Sequence, residues 1–370
     1  MKGRRKEMSI NQKKNMPRLL FALFTLTITI SLFVFPSSTQ AKPIVIKMCD
    51  IDPEFFLTLK KTNGEFASTN IKSKAFKKFI ESTTNGKYEV KIYPNGQLGG
   101  QREMLEMNSE GTVHLTGCSA SPIGNFAPEL MAFQIPFIFK DVNVALEVMN
   151  GPVGEELNEL IVKRRGIRYL YWGFEGYFNI GNTKRPIVVP SDLKGMKLRC
   201  STDAITTQIL KFAGATPTPM PFGEIYTGIQ QGVVDGAFTS IGLHAAIKLH
   251  ELEKYFNMAD LFFGWSPISI NEKFYRSLSP HEQWLFKRAA IKAIKTHLGM
   301  YFWGRDLWIE MFKKKGVKVT IPTPQQKSEW VKAIKDPMEK WVRGQIGNEW
   351  VDKVIEASKK AEMKLYGDIK

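Results

Sequence analysis

With 43% hydrophobic and 24% charged residues over a length of 370, the chain is neither disordered nor fibrous, and it is long enough for two lobes rather than one core. Its formal net charge of +16 is scattered among acids instead of clustered, which argues against nucleic acid and leaves a membrane surface or anionic small molecules as partners.

The first residues do not read as part of the globule. Seven basic side chains between Lys2 and Arg18, against one acid, precede an apolar run from Leu19 to Phe35, and Thr39 and Ala41 offer the narrow side chains that signal peptidase needs. A cleaved signal peptide over residues 1–41 and release into the periplasm are expected, and removal of the basic stretch takes the charge to about +10. An uncleaved anchor is the alternative, because the run approaches the ~20 residues of a spanning helix. No cysteine lies near the cleavage site to carry a lipid.

From Lys42 onward, Ile44 to Cys49 and Tyr88 to Tyr93 read as strands by their branched and aromatic content, with a helical pattern from Phe66 to Ile80 between them. A short helix from Gln101 to Ser109 and a third strand from Val113 to Cys118 follow, then helices over Val142 to Met149 and Glu155 to Arg165 and a strand over Ile167 to Trp172. Past Gly173, strands at Phe178 to Thr183, Lys197 to Cys200 and Val234 to Thr239 alternate with helices at Ala204 to Phe212 and Glu224 to Gln230. Pro217, Pro219 and Pro221 hold Thr216 to Phe222 extended. A long helix from Pro280 to about Lys315 and further helices after Pro322 close the chain. The alternation is that of an α/β protein with a second α/β lobe.

Cys49, Cys118 and Cys200 lack Cys-x-x-Cys spacing and lie near strand ends. One disulfide or none is compatible with them, and buried free thiols packing as small apolar groups are the reading favoured here. His114, His244, His250, His281 and His297 show no metal-ligand spacing, and no glycine-rich phosphate loop follows a strand, so neither a metal nor a nucleotide cofactor is expected. Gly117 to Ser121 lacks the closing glycine of a nucleophile elbow.

The informative segment is Asp192 to Cys200, a turn running into a short strand, with Asp203 set to cap the next helix. Arg199 falls at that strand's carboxyl end. In open α/β sheets this edge faces the ligand crevice, where a guanidinium grips a carboxylate through two parallel hydrogen bonds. A surface arginine paired with a nearby acid is the equal alternative on the local pattern alone.

Five stretches, in order and spacing, resemble the substrate-binding subunit of tripartite ATP-independent periplasmic (TRAP) transporters, the DctP-like family. They are Tyr93 to Glu103, Phe133 to Phe139, Lys184 to Ile187, Asp192 to Arg199, and Gly214 to Tyr226 leading to Val234-Asp235-Gly236. The resemblance covers most of residues 42 to 260. It implies a two-lobed periplasmic binding protein, each lobe a mixed β-sheet flanked by helices, with a ligand cleft between the lobes and a long helix linking them. The lobes are expected to comprise 42–176 with about 265–304, and 177–264 with about 305–370.

By the same resemblance Arg199 is the carboxylate anchor, Phe222 lays its ring on the ligand, and Thr239 and Phe238 follow Asp235-Gly236 into the cleft, with Trp172 and Ser119 nearby. The expected function is capture of a small organic carboxylate and its delivery to the small and large TRAP membrane subunits; an exported enzyme or a ligand-presenting sensor component are the alternatives. No base or nucleophile with an orienting partner supports an enzyme. Where many members carry a second ligand-facing arginine, this chain has Phe178 or Asn179. Monocarboxylates, including 2-oxo or aromatic acids, are therefore expected to outrank dicarboxylates. Thr239 stands where sialic-acid-binding relatives have asparagine, which argues against a sugar acid. The aromatic group Trp172, Phe174, Phe178, Phe222, Phe238 and Trp265 is either a ligand-stacking wall or core. Core is favoured for Phe174, Phe238 and Trp265, and the resemblance moves Phe222 and Trp172 toward the ligand.

Overall fold

The computed structural model describes residues 42–52 and 70–367; the expected signal peptide lies outside them. Among the described residues no helix is long and apolar enough to cross a membrane. In chain order the elements are β1 (Ile44–Cys49), α1 (Ile71–Thr83), β2 (Tyr88–Tyr93), α2 (Gln101–Glu110), β3 (Leu115–Thr116), α3 (Val142–Met149), α4 (Pro152–Arg165), β4 (Ile167–Tyr171) and β5 (Phe174–Asn182). There follow β6 (Lys197–Cys200), α5 (Ala204–Phe212), β7 (Thr216–Pro219), α6 (Ile225–Gln230), β8 (Gly236–Ser240), α7 (Ile241–Ala246), β9 (Tyr255–Trp265) and β10 (Ile268–Asn271). The chain ends with α8 (Glu272–Ser277), α9 (Pro280–Lys314), β11 (Lys318–Thr320), α10 (Pro324–Ile346) and α11 (Glu349–Tyr366).

The strands form two mixed sheets. The first has the order β2-β1-β3-β10-β4 and the second β11-β9-β5-β8-β6-β7. Within the first, β1 runs parallel to β2 and β3 while β10 is antiparallel to β3 and β4. Within the second, β6 lies parallel between β7 and β8, and β5 is antiparallel to both β8 and β9. The prolines of Thr216–Pro219 make an edge strand, where a missing N–H leaves no ladder bond open.

The chain passes from one sheet to the other at Gly173 and returns at Ser266. These two crossings lie side by side, joined by the Ser266 N–H donating to the Gly173 carbonyl at 2.8 Å. A Cβ at Gly173 would come within 2.5 Å of Ile294 and 2.7 Å of the Ser266 carbonyl oxygen, so only glycine permits that approach. β9, which leads into the return, carries apolar residues on both faces and so lacks the period-two signature of a half-buried strand.

α9 ties the two lobes together. Ser279 caps it, with Glu282 reaching back to close the capping box. Phe286, Ala289, Ala290, Ala293 and Ile294 from its first half pack in the core of the first sheet, and Tyr301, Trp308, Met311 and Phe312 from its second half pack in that of the second. The last helix returns to the early part of the chain, where Lys353 meets Glu156 at 2.7 Å and Tyr366 donates to Asp141 at 2.6 Å.

Candidate functional site

The carboxyl ends of β1 and β3 in the first sheet and of β6 in the second carry a buried group of charged side chains. Leu198 and Cys200 are buried core residues of β6, and the Gly195 turn before it adopts φ +78°, which suits glycine. Arg199, between them, is only 4% exposed. Its Nε–H donates to the Met220 carbonyl at 2.9 Å, and among the described residues the four remaining guanidinium N–H donors take no hydrogen-bond partner. Burial pulls its pKa down to about 10, against the opposing pull of nearby Cys200, Asp203 and Glu175. Asp203 caps α5, its carboxylate accepting from the Thr206 N–H at 2.7 Å.

From the first sheet comes Lys72 on α1, which is 1% exposed and donates to the Gly117 carbonyl at 2.6 Å and to Ser266 Oγ at 2.5 Å. Asp50 follows the end of β1, accepts from the Ser73 hydroxyl and from the Asp52 N–H, and is buried. Burial raises both acids above the usual carboxylate range, with Lys72 opposing. Gly117 makes this packing possible: a Cβ there would meet Ser73 Oγ at 2.8 Å, Asp50 Oδ2 at 3.1 Å and Lys72 Cε at 3.3 Å.

Glu175, on β5 just past the Gly173 crossing, joins the two halves electrostatically. Burial pushes its pKa up to about 7, Asp52 adds to the rise, and Lys72, the Ser119 hydroxyl and Arg199 pull it down. Two lysine or arginine cations and three acids therefore share one weakly solvated region, a concentration of perturbed groups typical of a ligand site. Among the described residues no three His, Cys, Asp or Glu side chains converge as a metal site.

The residues expected from sequence fall in different surroundings. Ser119 is buried beside Glu175. Phe222 is half-buried two residues after Met220, packed on the cluster of Ile225, Ile229 and Leu249. Trp172 stacks on Tyr169 at 4.4 Å and meets Trp265 edge-on at 6.3 Å, while its indole Nε1 finds no partner among the described residues. Phe178 sits with Phe238 and Phe262, ring centroids 5.4 and 5.1 Å away, in a dry aromatic triad. Asn179 spends its amide inside the sheet: it donates to the Tyr177 carbonyl and Asp260 Oδ1 and accepts from the Asp260 N–H at 2.7 Å. Thr239 is its register partner on β8 and is buried. Phe174 and Trp265 are fully buried.

Cys49, Cys118 and Cys200 are buried free thiols. Burial pushes Cys118 up to about 11, which keeps it protonated and inert. Sequence reasoning passed over Lys72, Glu175, Asp50 and Asp52. The pattern that marks Arg199, a polar side chain at a strand's carboxyl end, also holds for Asp50, which directly follows β1.

The profile of the bacterial extracellular solute-binding proteins, family 7 (DctP), matches residues 63–345. A solute-binding protein of Verminephrobacter eiseniae is 33% identical over 222 residues, 60% of this chain and 66% of that protein. Among solved structures, a TRAP periplasmic solute-binding protein from Polaromonas sp. JS666, bound to D-erythronate, superposes with a TM-score of 0.75 at 27% identity, covering 84% of this chain and 98% of the other. A TRAP protein from Sulfurospirillum deleyianum with bound succinate gives 0.72 at 27% identity, covering 84% and 97%.

Proposed function

The chain belongs to family 7 of the bacterial extracellular solute-binding proteins, and from that premise we propose that it captures a small organic monocarboxylate outside the cytoplasm, with Arg199 anchoring the carboxylate. Members of this family are binding proteins and not enzymes. The observation that carries the reading is the Arg199 guanidinium: buried, held by one hydrogen bond, and with its other donors unused among the described residues. A buried cation is costly without a counter-charge, and a carboxylate accepting two parallel N–H bonds offsets that cost.

Arg199 comes from the second sheet, whereas Ser119 and Lys72 come from the first. A ligand touching both favours the arrangement in which the lobes approach, because its differential affinity for that arrangement shifts the equilibrium. The preference for one carboxylate over two rests on three features. Phe178 stands in an apolar ring cluster, the Asn179 amide is already committed, and the acids Asp50, Asp52 and Glu175 offer no cation to a second carboxylate. The Polaromonas protein holds D-erythronate and the Sulfurospirillum protein holds succinate, so the family accommodates both ligand types and these positions decide between them. The captured acid is then handed to the small and large TRAP membrane subunits.

A thermal-shift screen of the purified chain against monocarboxylates, 2-oxo acids, aromatic acids and succinate tests this, since a ligand at 100 times its Kd stabilises by ~2.7 kcal/mol. Monocarboxylates are expected to give the largest shifts, and Arg199→Ala to abolish them. Silence from every carboxylate, or a clear win for succinate, defeats the reading.

A further inference from the structure

In its ionised form Glu175 plays no part in holding a carboxylate, since it then bears the same charge as the ligand. Yet β5 places it where both lobes act on it: Ser119 and Lys72 from the first, Arg199 from the second. Its Oε2 is out of solvent contact and has no hydrogen-bond partner among the described residues. The surroundings are tightly built. A Cβ on the neighbouring Gly264 would lie 3.2 Å from the Glu175 Cβ and 2.7 Å from the Phe178 ring, so β5 and β9 approach closely beside Glu175.

A buried acceptor left without a donor costs ~1–3 kcal/mol, and more when it is charged. Such an atom in a binding region calls for a donor on the ligand. We propose that Glu175 is a specificity residue that accepts a hydrogen bond from a hydroxyl group of the bound acid, which makes hydroxylated monocarboxylates the substrate class. This rests on the monocarboxylate reading given above, and it departs from the expectation, drawn from Thr239, that a sugar acid is disfavoured. A hydroxyl donates to Oε2. A keto oxygen or a second carboxylate has nothing to donate to it, and the second carboxylate also meets like charge. A saturated acid without hydroxyls leaves Oε2 unpaired.

The test is isothermal titration calorimetry at pH 8, above the value of about 7 to which burial raises this group, so that Glu175 is ionised. The wild-type chain, Glu175→Gln and Glu175→Leu are titrated with D-erythronate and D-galactonate, with butyrate and hexanoate as the matched acids lacking hydroxyls, and with succinate. The wild type is expected to bind at least one hydroxy acid about tenfold or more tighter than its matched acid, the worth of one charge-assisted hydrogen bond. In Glu175→Gln that hydroxy acid weakens about tenfold or more, while succinate strengthens because the like charge is gone. Opposite changes for two ligands do not arise from a damaged fold. Glu175→Leu, which removes every acceptor, is expected to erase the hydroxyl preference altogether. An unchanged ratio of hydroxy acid to matched acid in both variants overturns the proposal, as does a wild type with no hydroxyl preference. Failure of the anchor reading looks different: no acid of the panel binds, or Arg199→Ala binds them as the wild type does.

Discussion

Arg199 and Met220 are joined by a single hydrogen bond, Nε–H to carbonyl oxygen at 2.9 Å, which fixes the roll of the guanidinium plane and commits none of its Nη donors. The carbonyl belongs to the extended, proline-rich segment that follows β7, so the edge strand aims the anchor. Arg199→Ala should weaken binding of the best monocarboxylate by some tenfold to several thousandfold, taking about 2–5 kcal/mol for loss of one member of a buried charged pair. Arg199→Lys should fall between, because an ammonium keeps the charge and loses the two-pronged fit. The thermal midpoint of the ligand-free Ala variant should not drop, since it loses a desolvated cation with one hydrogen bond. Calorimetry and a melt on the same samples check both halves, and a large loss of stability would mean that Arg199 serves the fold instead.

Gly117 gives a stability prediction with the opposite bias. A methyl there meets Ser73 Oγ, Asp50 Oδ2 and Lys72 Cε, all at 3.3 Å or less, and these three are bound to one another or to the Gly117 carbonyl itself. Gly117→Ala should cost about 1–3 kcal/mol, as overpacking of a close-packed interior does. Urea unfolding measures it. A neutral result would show that the lysine and its partners shift easily.

His297, on α9, titrates in the opposite sense to Glu175. Burial, followed by the nearby Lys72 charge, pushes its pKa down to about 3, against ~6.5 in an unfolded chain. The folded protein therefore prefers the neutral imidazole, and the stability this provides is complete above pH ~6.5 and is lost as the pH falls toward 3. Glu175, raised to about 7, contributes stability that is present below ~4.5 and fades as the pH rises to about 7. The two overlap, so the useful measurement is a difference. Unfolding free energies of the wild type and His297→Gln, taken from pH 7.5 to 3.5, should converge by on the order of a few kcal/mol as the pH falls. Parallel curves would mean that the imidazole titrates in the folded protein as it does in the unfolded chain.

The strands bounded by breakers were legible because their apolar content is local: Ile44–Cys49, Tyr88–Tyr93 and Lys197–Cys200 occupy the residues that composition alone indicates. The helix Pro280–Lys314 is marked by its own proline, capping serine and glutamate. β9 escaped because it is apolar on both faces and bends at Asp260, whose φ is +50°. The site divides in the same way. Arg199 announces itself by its place at a strand end, whereas Lys72 reads as one more solvated lysine of an amphipathic helix. Its burial comes from Gly117 and Ser266, 45 and 194 residues further on. Asn179 is equally opaque, because the Asp260 that occupies its amide lies 81 residues away.

Phe178 offers the sharpest check on the missing second cation. Replacing it with arginine, to supply the second cation that the family resemblance leads one to expect, is the obvious route to a dicarboxylate binder, but the ring is 3% exposed and its neighbours are the rings of Phe238 and Phe262. A guanidinium in that triad loses its water without gaining a carboxylate, and the cavity left by the ring adds about 3–5 kcal/mol, the usual cost of removing a buried phenylalanine. Phe178→Arg should therefore lower the thermal midpoint sharply and leave succinate binding no better than in the wild type. If instead the variant melts normally and succinate stabilises it, the side chain at 178 reaches the ligand, and the preference for monocarboxylates hangs on that one substitution rather than on the acids gathered around Glu175.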